Sequence, residues 1–181
     1  MSEDSLINPV EPYGASKWMA EQLLKFLSQQ GLWYNALRYF NVYGERQAAH
    51  AYYTTVIIAF IKRILNGQPP VIDGKGDQSM DFTHVSDVVQ ANILAMKSKT
   101  VNEAFNVGTG VSTTVARLAQ ILIEAMGADL HPQFSGRPSL VSRRQGDTSK
   151  AERLLGFTAR VDVRTGLTQV ARAIAAHPEL Y

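Results

Sequence analysis

The chain has 181 residues, 45% hydrophobic and 19% charged, with a formal net charge of +2. That composition suits one globular core and excludes a disordered or collagen-like chain. With no cysteine, disulfides, thiolate metal sites and cysteine nucleophiles are excluded as well. The small charge and the lack of a Lys/Arg stripe argue against a nucleic-acid-binding protein. The opening "MSEDSLINPV" is acidic and lacks the apolar run of a signal peptide, and no apolar segment approaches the ~20 residues of a membrane span. The expectation is a soluble, cytoplasmic protein.

Pro9 and Pro12 hold the opening extended, and helical spacing follows over residues 15–30, with Trp18, Met19, Leu23, Leu24, Phe26 and Leu27 closed by Gly31. "LWYNALRYF" reads as a strand running into the loop "NVYGERQ". "TTVIIAFIKRILNG" is a second helix with Gly67 at its end, and "PPVIDGKGDQ" a short strand with a glycine turn. "SMDFTHV" is extended, and Ser86 or Asp87 is placed to cap the helix "VVQANILAMKS". "EAFNVGTG" is an apolar strand into a glycine turn, and Ser112 or Thr113 is expected to cap "STTVARLAQILIEAMG". "HPQFSGRPSLVSRRQG" is irregular and basic. Asp147 is expected to cap "TSKAERLLG", and "RTGLTQVARAIAAH" is the last helix. Strands alternating with helices predict an α/β fold with parallel pairing.

"EPYGASKWMAEQLL" places Tyr13 and Lys17 at i and i+4, one above the other on a helix. An ammonium beside a phenol favours the phenolate and so suits a proton-transfer role. The spacing alone is weak evidence, and by itself it reads first as a surface pair. Asn41 alone reads as a turn residue, and Arg46 as a solvent-exposed one. His50, His84, His131 and His177 are scattered without metal-ligand spacing. His84 is expected to be structural, and Asp81 and Asp87 to be turn and cap residues.

The ordered blocks "NPVEPYGASKWMAEQLL", "ALRYFNVYGERQ", "IDGKGDQSMDFTHVSDVVQANILAM" and "AFNVGTG" together resemble the extended short-chain dehydrogenase/reductase superfamily. Within it they resemble the NAD-dependent nucleotide-sugar epimerases and dehydratases such as UDP-glucose 4-epimerase. The resemblance runs from about Asn8 to about Gly166. It implies Tyr13 as the acid/base on a sugar hydroxyl and Lys17 as the ligand of the nicotinamide ribose. It also implies Phe40 and Val42 beside the nicotinamide carboxamide, and Asn41 on the nucleotide-sugar diphosphate. Arg46 is a weaker substrate-pocket candidate. Arg143 and Arg144 match a segment that holds nucleotide phosphates in the family, and a solvated basic loop is the alternative for them.

Three departures stand beside the resemblance. The family's Gly-rich dinucleotide fingerprint lies far upstream of the tyrosine, whereas this chain has twelve residues before Tyr13. The cluster "NVGTGVSTT" follows a strand and precedes a helix, but Thr113 stands where G-x-G-x-x-G needs its third glycine, so it is read as structural. The family's catalytic Ser/Thr position is absent, since Ser2 and Ser5 lie too close to Tyr13. Met80 occupies the position of a diphosphate-gripping arginine, a contact it cannot make, and Arg143 or Arg144 could replace that charge.

The expectation is therefore the later part of a Rossmann-type parallel sheet plus a small C-terminal substrate-binding region, with a soft boundary near Gly110 that divides 1–110 from 111–181. The expected function is nucleotide-sugar epimerisation on a UDP-sugar with NAD, in a homodimer assembled through the first helix, the isolated chain being inactive. The alternatives are a non-catalytic nucleotide-sugar-binding remnant and a dehydratase or decarboxylase of the same superfamily.

Overall fold

The computed structural model describes residues 1–48, 55–137 and 143–181. Helix α1 (Pro12–Ser28) is followed by strands β1 (Asn35–Tyr39) and β2 (Val42–Tyr43) and helix α2 (Val56–Leu65). Strands β3 (Val71–Ile72), β4 (Ser79–Met80) and β5 (Thr83–His84) lead into α3 (Val85–Lys97). Strands β6 (Glu103–Val107) and β7 (Thr113–Thr114) precede α4 (Val115–Ala125). Strands β8 (Gln133–Phe134) and β9 (Arg143–Arg144) and helices α5 (Ser149–Leu155) and α6 (Val163–Ala176) follow, and a 3-10 turn spans Pro178–Leu180.

The α/β class and the parallel pairing are both present. β1 and β6 run parallel from Asn35↔Glu103 to Tyr39↔Val107, and β2 with β5 and β3 with β8 are shorter parallel pairs. β4 lies between antiparallel β7 and parallel β9. The short strands β8 and β9 fall inside the stretch expected to be irregular. Each is two residues long and exists because a distant segment offers it a ladder, which leaves no periodic trace in its own sequence.

Two apolar clusters hold these elements. Ile57, Ile58, Ile61 and Ile64 of α2 form one helical stripe, as do Leu118, Ala119 and Leu122 of α4 and Leu167, Val170, Ala171 and Ile174 of α6. The three stripes meet with Tyr43, Ile72 and Phe82 in the larger cluster. In the smaller one, α3 (Val88, Ala91) and α5 (Ala151, Leu155, then Phe157) pack on Phe105 and Val107 of β6. The clusters draw on interleaved stretches of chain, and α5, beyond Gly110, belongs with the β1–β6 sheet.

Several local expectations shift. α1 starts at Pro12 rather than near Ala15, because proline is suited to the first helical position, where no amide partner is needed. The cap of α3 is the His84 ring, which accepts from the Ser86 amide and sits 2.8 Å from the Ser86 hydroxyl, so neither Ser86 nor Asp87 caps it. Asp87 is instead buried, accepting from the amides of Arg160 and Val161 at 3.0 and 3.1 Å, and so pins the chain after α5 to α3. Thr114, not Ser112 or Thr113, caps α4 through the Arg117 amide. Asp147 does not cap α5: the cap position is Thr148, whose side chain makes no capping bond, and Asp147, one residue earlier, accepts from the Ser149 amide at 3.0 Å.

Candidate active-site region

β1 and β6 are parallel, so their carboxyl ends open onto the same side, the place where α/β sheets bind ligands. After β1 the chain makes a turn through Phe40 and Asn41. The Phe40 amide still pairs with the Val107 carbonyl at 3.0 Å, while Asn41 takes a left-handed φ of 27°. Asparagine tolerates that conformation better than most residues. The Asn41 side-chain amide donates to the Asp81 carbonyl at 3.0 Å, and the Asn41 carbonyl accepts from the Thr83 amide at 3.3 Å. The residue is thereby fixed between β1 and the β4–β5 segment.

Asp81 organises what surrounds it. Its side chain is wholly buried. One carboxylate oxygen accepts from the Thr109 amide (2.9 Å) and hydroxyl (2.6 Å), and the other from the Gly110 amide (2.9 Å). A Cβ on Gly108 would come within 2.6 Å of the same carboxylate. The glycine turn after β6 is thus wrapped around an internal carboxylate, which already engages the amides a pyrophosphate would need. The structural reading of "NVGTG" and the absence of a phosphate cradle there have one physical cause. The Asp81 amide in turn donates to the Arg144 carbonyl at 2.8 Å.

β9 lies beside β4 with Met80 opposite Arg144. The register therefore brings a guanidinium-bearing residue next to Met80. Arg143 and Arg144 are both exposed, and Arg143 donates to the Gln145 side chain at 2.5 Å. An open cleft of about 630 Å³ lies here, lined among others by Gly110, Arg143, Gln145, Thr148 and Ser149. Phe40 reaches the same place, because a Cβ on Gly146 would stand 2.9 Å from its ring. The Ser149 hydroxyl and amide hold the Asp147 carboxyl at the cleft below its usual range. Val42, on β2, pairs with Thr83 of β5 and is half-buried.

Tyr13 and Lys17 lie one above the other at the start of α1, with the Lys17 ammonium 5.3 Å from the centre of the Tyr13 ring, within cation–π range. The phenol is 66% exposed. Among the described residues no hydrogen bond or ion pair joins either side chain to the Asn41–Asp81–Arg144 cluster. Arg46 is exposed with a left-handed φ of 64°, and its amide donates to the Tyr181 hydroxyl at 2.7 Å. The Arg46 backbone is thus held while its side chain lies at the surface.

Sequence reasoning undervalued Asp81, which it placed in a turn. The signal was a lone carboxylate between Met80 and Phe82 in an extended apolar run, since a buried charge needs several donors. His84 is structural as expected, stacked edge-on against Tyr43 with ring centres 5.4 Å apart. Burial, with the carboxylates of Asp162, Asp87 and Glu45 nearby, pushes the Tyr43 phenol up, so it stays neutral. Among the described residues no cluster of His, Asp and Glu could hold a metal, and no helix is long and apolar enough to cross a membrane. His50 lies outside the described residues.

Tyr13 and Lys17 are exposed at the start of α1, whereas among the described residues the glycine turn after β6 does not fit a pyrophosphate, since Asp81 fills it.

Comparison with known proteins bears on the family and the fold. A Methanocaldococcus jannaschii protein with a provisional UDP-glucose 4-epimerase name is 38% identical over 94% of this chain and 55% of its own length. A UDP-N-acetyl-alpha-D-glucosaminuronate decarboxylase of Bacillus cytotoxicus is also 38% identical, over 87% of this chain and 51% of its own. Among solved structures, the Thermotoga maritima UDP-glucose 4-epimerase with UDP-glucose superposes with a TM-score of 0.91 at 36% identity, over 97% of this chain and 57% of that one. The Bacillus cereus UDP-glucuronic acid 4-epimerase with UDP-glucuronic acid and NAD gives 0.87 at 29% identity, over 100% of this chain and 57% of that one. The chain spans about half the length of the relatives it matches. Residues 1–108 match the NAD dependent epimerase/dehydratase family, and the chain, with its Rossmann-like parallel pairing, belongs to that family.

Proposed function

We propose that this chain carries the acid/base and nucleotide-sugar side of a UDP-sugar 4-epimerase, and that catalysis requires the α/β part of the fold that its relatives have and these 181 residues do not span. The observation that carries the reading is the Tyr13–Lys17 apposition, 5.3 Å from ammonium to ring centre, within the segment matched to the family. Tyr13 takes the proton from the sugar 4-hydroxyl as the bond to hydrogen at C4 breaks, and returns it after the ketone has presented its other face. Lys17 stabilises the phenolate and holds the ribose hydroxyls of the cofactor. NAD, when bound, accepts and returns the hydride.

Phe40 and Val42 would flank the nicotinamide. Asn41, fixed by Asp81 and Thr83, would present its remaining side-chain oxygen and backbone to the diphosphate region. Arg143 and Arg144 would supply the positive charge that Met80 cannot, and Arg46 would border the sugar pocket. In this reading residues 1–110 contain the sheet and cofactor side and 111–181 most of the substrate side. The completed protein is a cytoplasmic homodimer joined through α1.

The test joins the unmatched part of the Methanocaldococcus jannaschii relative to this chain and assays interconversion of UDP-glucose and UDP-galactose. Tyr13→Phe is expected to lower turnover by about 10²–10⁴-fold with UDP-sugar binding nearly unchanged. Lys17→Ala should reduce both turnover and NAD affinity. Equal, small losses from the two changes would assign them to a surface pair and remove the acid/base role. A second reading, decarboxylation, is favoured by the likeness to the Bacillus cytotoxicus enzyme. Release of carbon dioxide from a UDP-uronic acid, with no epimer formed, would select it.

A further inference from the structure

Among the described residues, three that are not glycine take a left-handed backbone: Asn41 (φ 27°), Arg46 (φ 64°) and Asn102 (φ 62°). Asparagine visits that region readily, whereas the Cβ of an arginine crowds the following carbonyl there. Arg46 is therefore the costly one of the three. A residue held in this way persists only where its surroundings fix it, and such residues gather at ligand clamps and active sites.

The turn containing Arg46 follows β2, and each residue leading into it is held. Tyr43 is buried in the larger apolar cluster. Gly44 packs so closely on the start of α3 that an added Cβ would stand 2.9 Å from the Cβ of Val85. Glu45 brings a carboxylate oxygen to 3.6 Å from Nε2 of His84. Arg46 itself donates its amide to the Tyr181 hydroxyl at 2.7 Å, from 135 residues away in sequence, while its side chain lies at the surface. At the other end of the segment, Asn41 is fixed by Asp81 and Thr83.

Tyr181 can act as a fixed post because its ring is buried. It is 7% exposed and belongs to the cluster that α2, α4 and α6 form. The turn before it is closed by the Leu180 amide on the His177 carbonyl at 3.1 Å and by the Tyr181 amide on the Pro178 carbonyl at 3.2 Å. A phenylalanine would fill the same apolar space. The hydroxyl is what distinguishes tyrosine there, and a buried hydroxyl of this kind ordinarily has a partner. Its described partner is the Arg46 amide.

We infer that Tyr181 is a positioning residue of the nucleotide-sugar site: its hydroxyl holds the Glu45–Arg46 turn in the strained conformation that presents the Arg46 guanidinium to the hexosyl group of the substrate. The inference rests on the reading that Arg46 borders the sugar pocket, and it adds the residue that sets Arg46 there. One neutral hydrogen bond and the strain of one left-handed residue are of comparable size. Losing the hydroxyl therefore lets the turn relax without unfolding the cluster beneath it. Tyr181 acts through Arg46 and is not itself a catalytic residue.

The experiment titrates the 181-residue chain in a calorimeter with UDP-glucose and, separately, with UDP. Tyr181→Phe keeps the ring, so its urea midpoint should lie within about 0.5 M of wild type. It is expected to weaken UDP-glucose binding about tenfold, the worth of a charge-assisted hydrogen bond, and UDP binding less than about twofold. Exchange of the Arg46 amide with solvent should become about tenfold faster. Arg46→Ala should show the same split between the two ligands. The double variant should bind UDP-glucose no more weakly than Arg46→Ala alone, because the hydroxyl works only through the arginine. A merely structural role would weaken both ligands alike and add to the loss from Arg46→Ala. Equal losses for UDP and UDP-glucose, additive losses in the double variant, or unchanged UDP-glucose binding in either single variant overturns the inference and leaves the proposed function standing. A wild-type chain that binds neither ligand counts against the nucleotide-sugar reading itself, and the inference falls with it.

Discussion

Asp81 offers the most exacting test of how the site is built. Its carboxylate is wholly buried and accepts three hydrogen bonds from Thr109 and Gly110, at 2.9, 2.6 and 2.9 Å. Asp81→Ala removes the acceptor and leaves the two backbone amides without partners, each costing ~1–3 kcal/mol. With the lost side-chain packing the total should be about 4 kcal/mol, a large share of the ~5–15 kcal/mol that holds a domain of ordinary stability. Asp81→Asn keeps one oxygen, so either Thr109 or Gly110 stays satisfied while an amide group faces the other donor. Its cost should be near ~2 kcal/mol. Urea unfolding followed by circular dichroism reads this directly. With a slope of ~2 kcal/mol per molar, the Ala variant should unfold about 2 M earlier at unchanged slope, and the Asn variant about 1 M earlier. A loss under ~1 kcal/mol for Asp81→Ala would refute the reasoning, because the turn would then find its acceptors elsewhere.

Gly166 lies so close to Tyr43 that an added Cβ would overlap the phenol oxygen, so Gly166→Ala should cost ~1–3 kcal/mol. The Tyr43 hydroxyl makes no hydrogen bond, so Tyr43→Phe should be nearly neutral alone and should recover much of that loss in the double variant, as a double-mutant cycle will measure. Asp162 caps α6 through the Thr165 amide and hydroxyl, and Asp162→Ala should cost about 1 kcal/mol in thermal or urea unfolding. Those Thr165 bonds hold the Asp162 carboxyl below its ordinary range. Its contribution is therefore present above the unfolded-state value near ~4 and lost as the pH falls through the lower folded-state value; the gap between wild type and the Ala variant should close below that point. Calorimetric titration of the 181-residue chain with NAD should show no micromolar binding, since the Thr109 and Gly110 amides are occupied by Asp81; micromolar affinity would reveal a cradle elsewhere.

The parts of this fold that were legible in the sequence are those set by one element's own pattern. The Ile57–Ile64 and Leu118–Leu122 stripes announce α2 and α4 whatever they pack against, and the alternating helices and strands gave the α/β class. The caps were harder because "THVSD" and "VSTT" each offer several side-chain acceptors within a few residues. The choice falls to His84 and Thr114 because β5 and β7 end there, and those ends are set by pairing with β2 and β4. Asp81 was named, but its role depends on a turn twenty-eight residues away. Tyr13 and Lys17 were singled out from spacing and resemblance, yet no amount of local pattern could show that α1 has no buried residue.

The interleaving of the two apolar clusters has a consequence for synthesis. Phe105 and Val107 of β6 are covered by Ala151, Leu155 and Phe157, and the stripes of α2 and α4 close only on Leu167, Val170 and Ile174. A chain emerging from the ribosome therefore cannot complete the smaller cluster until about residue 157 is free, nor the larger one until α6 follows. Folding in order from the first residue, as independent domains do, is not open to it. A nascent chain arrested after α4 would expose both half-built clusters at once, and would be far more vulnerable to proteases than one in which α6 has also emerged.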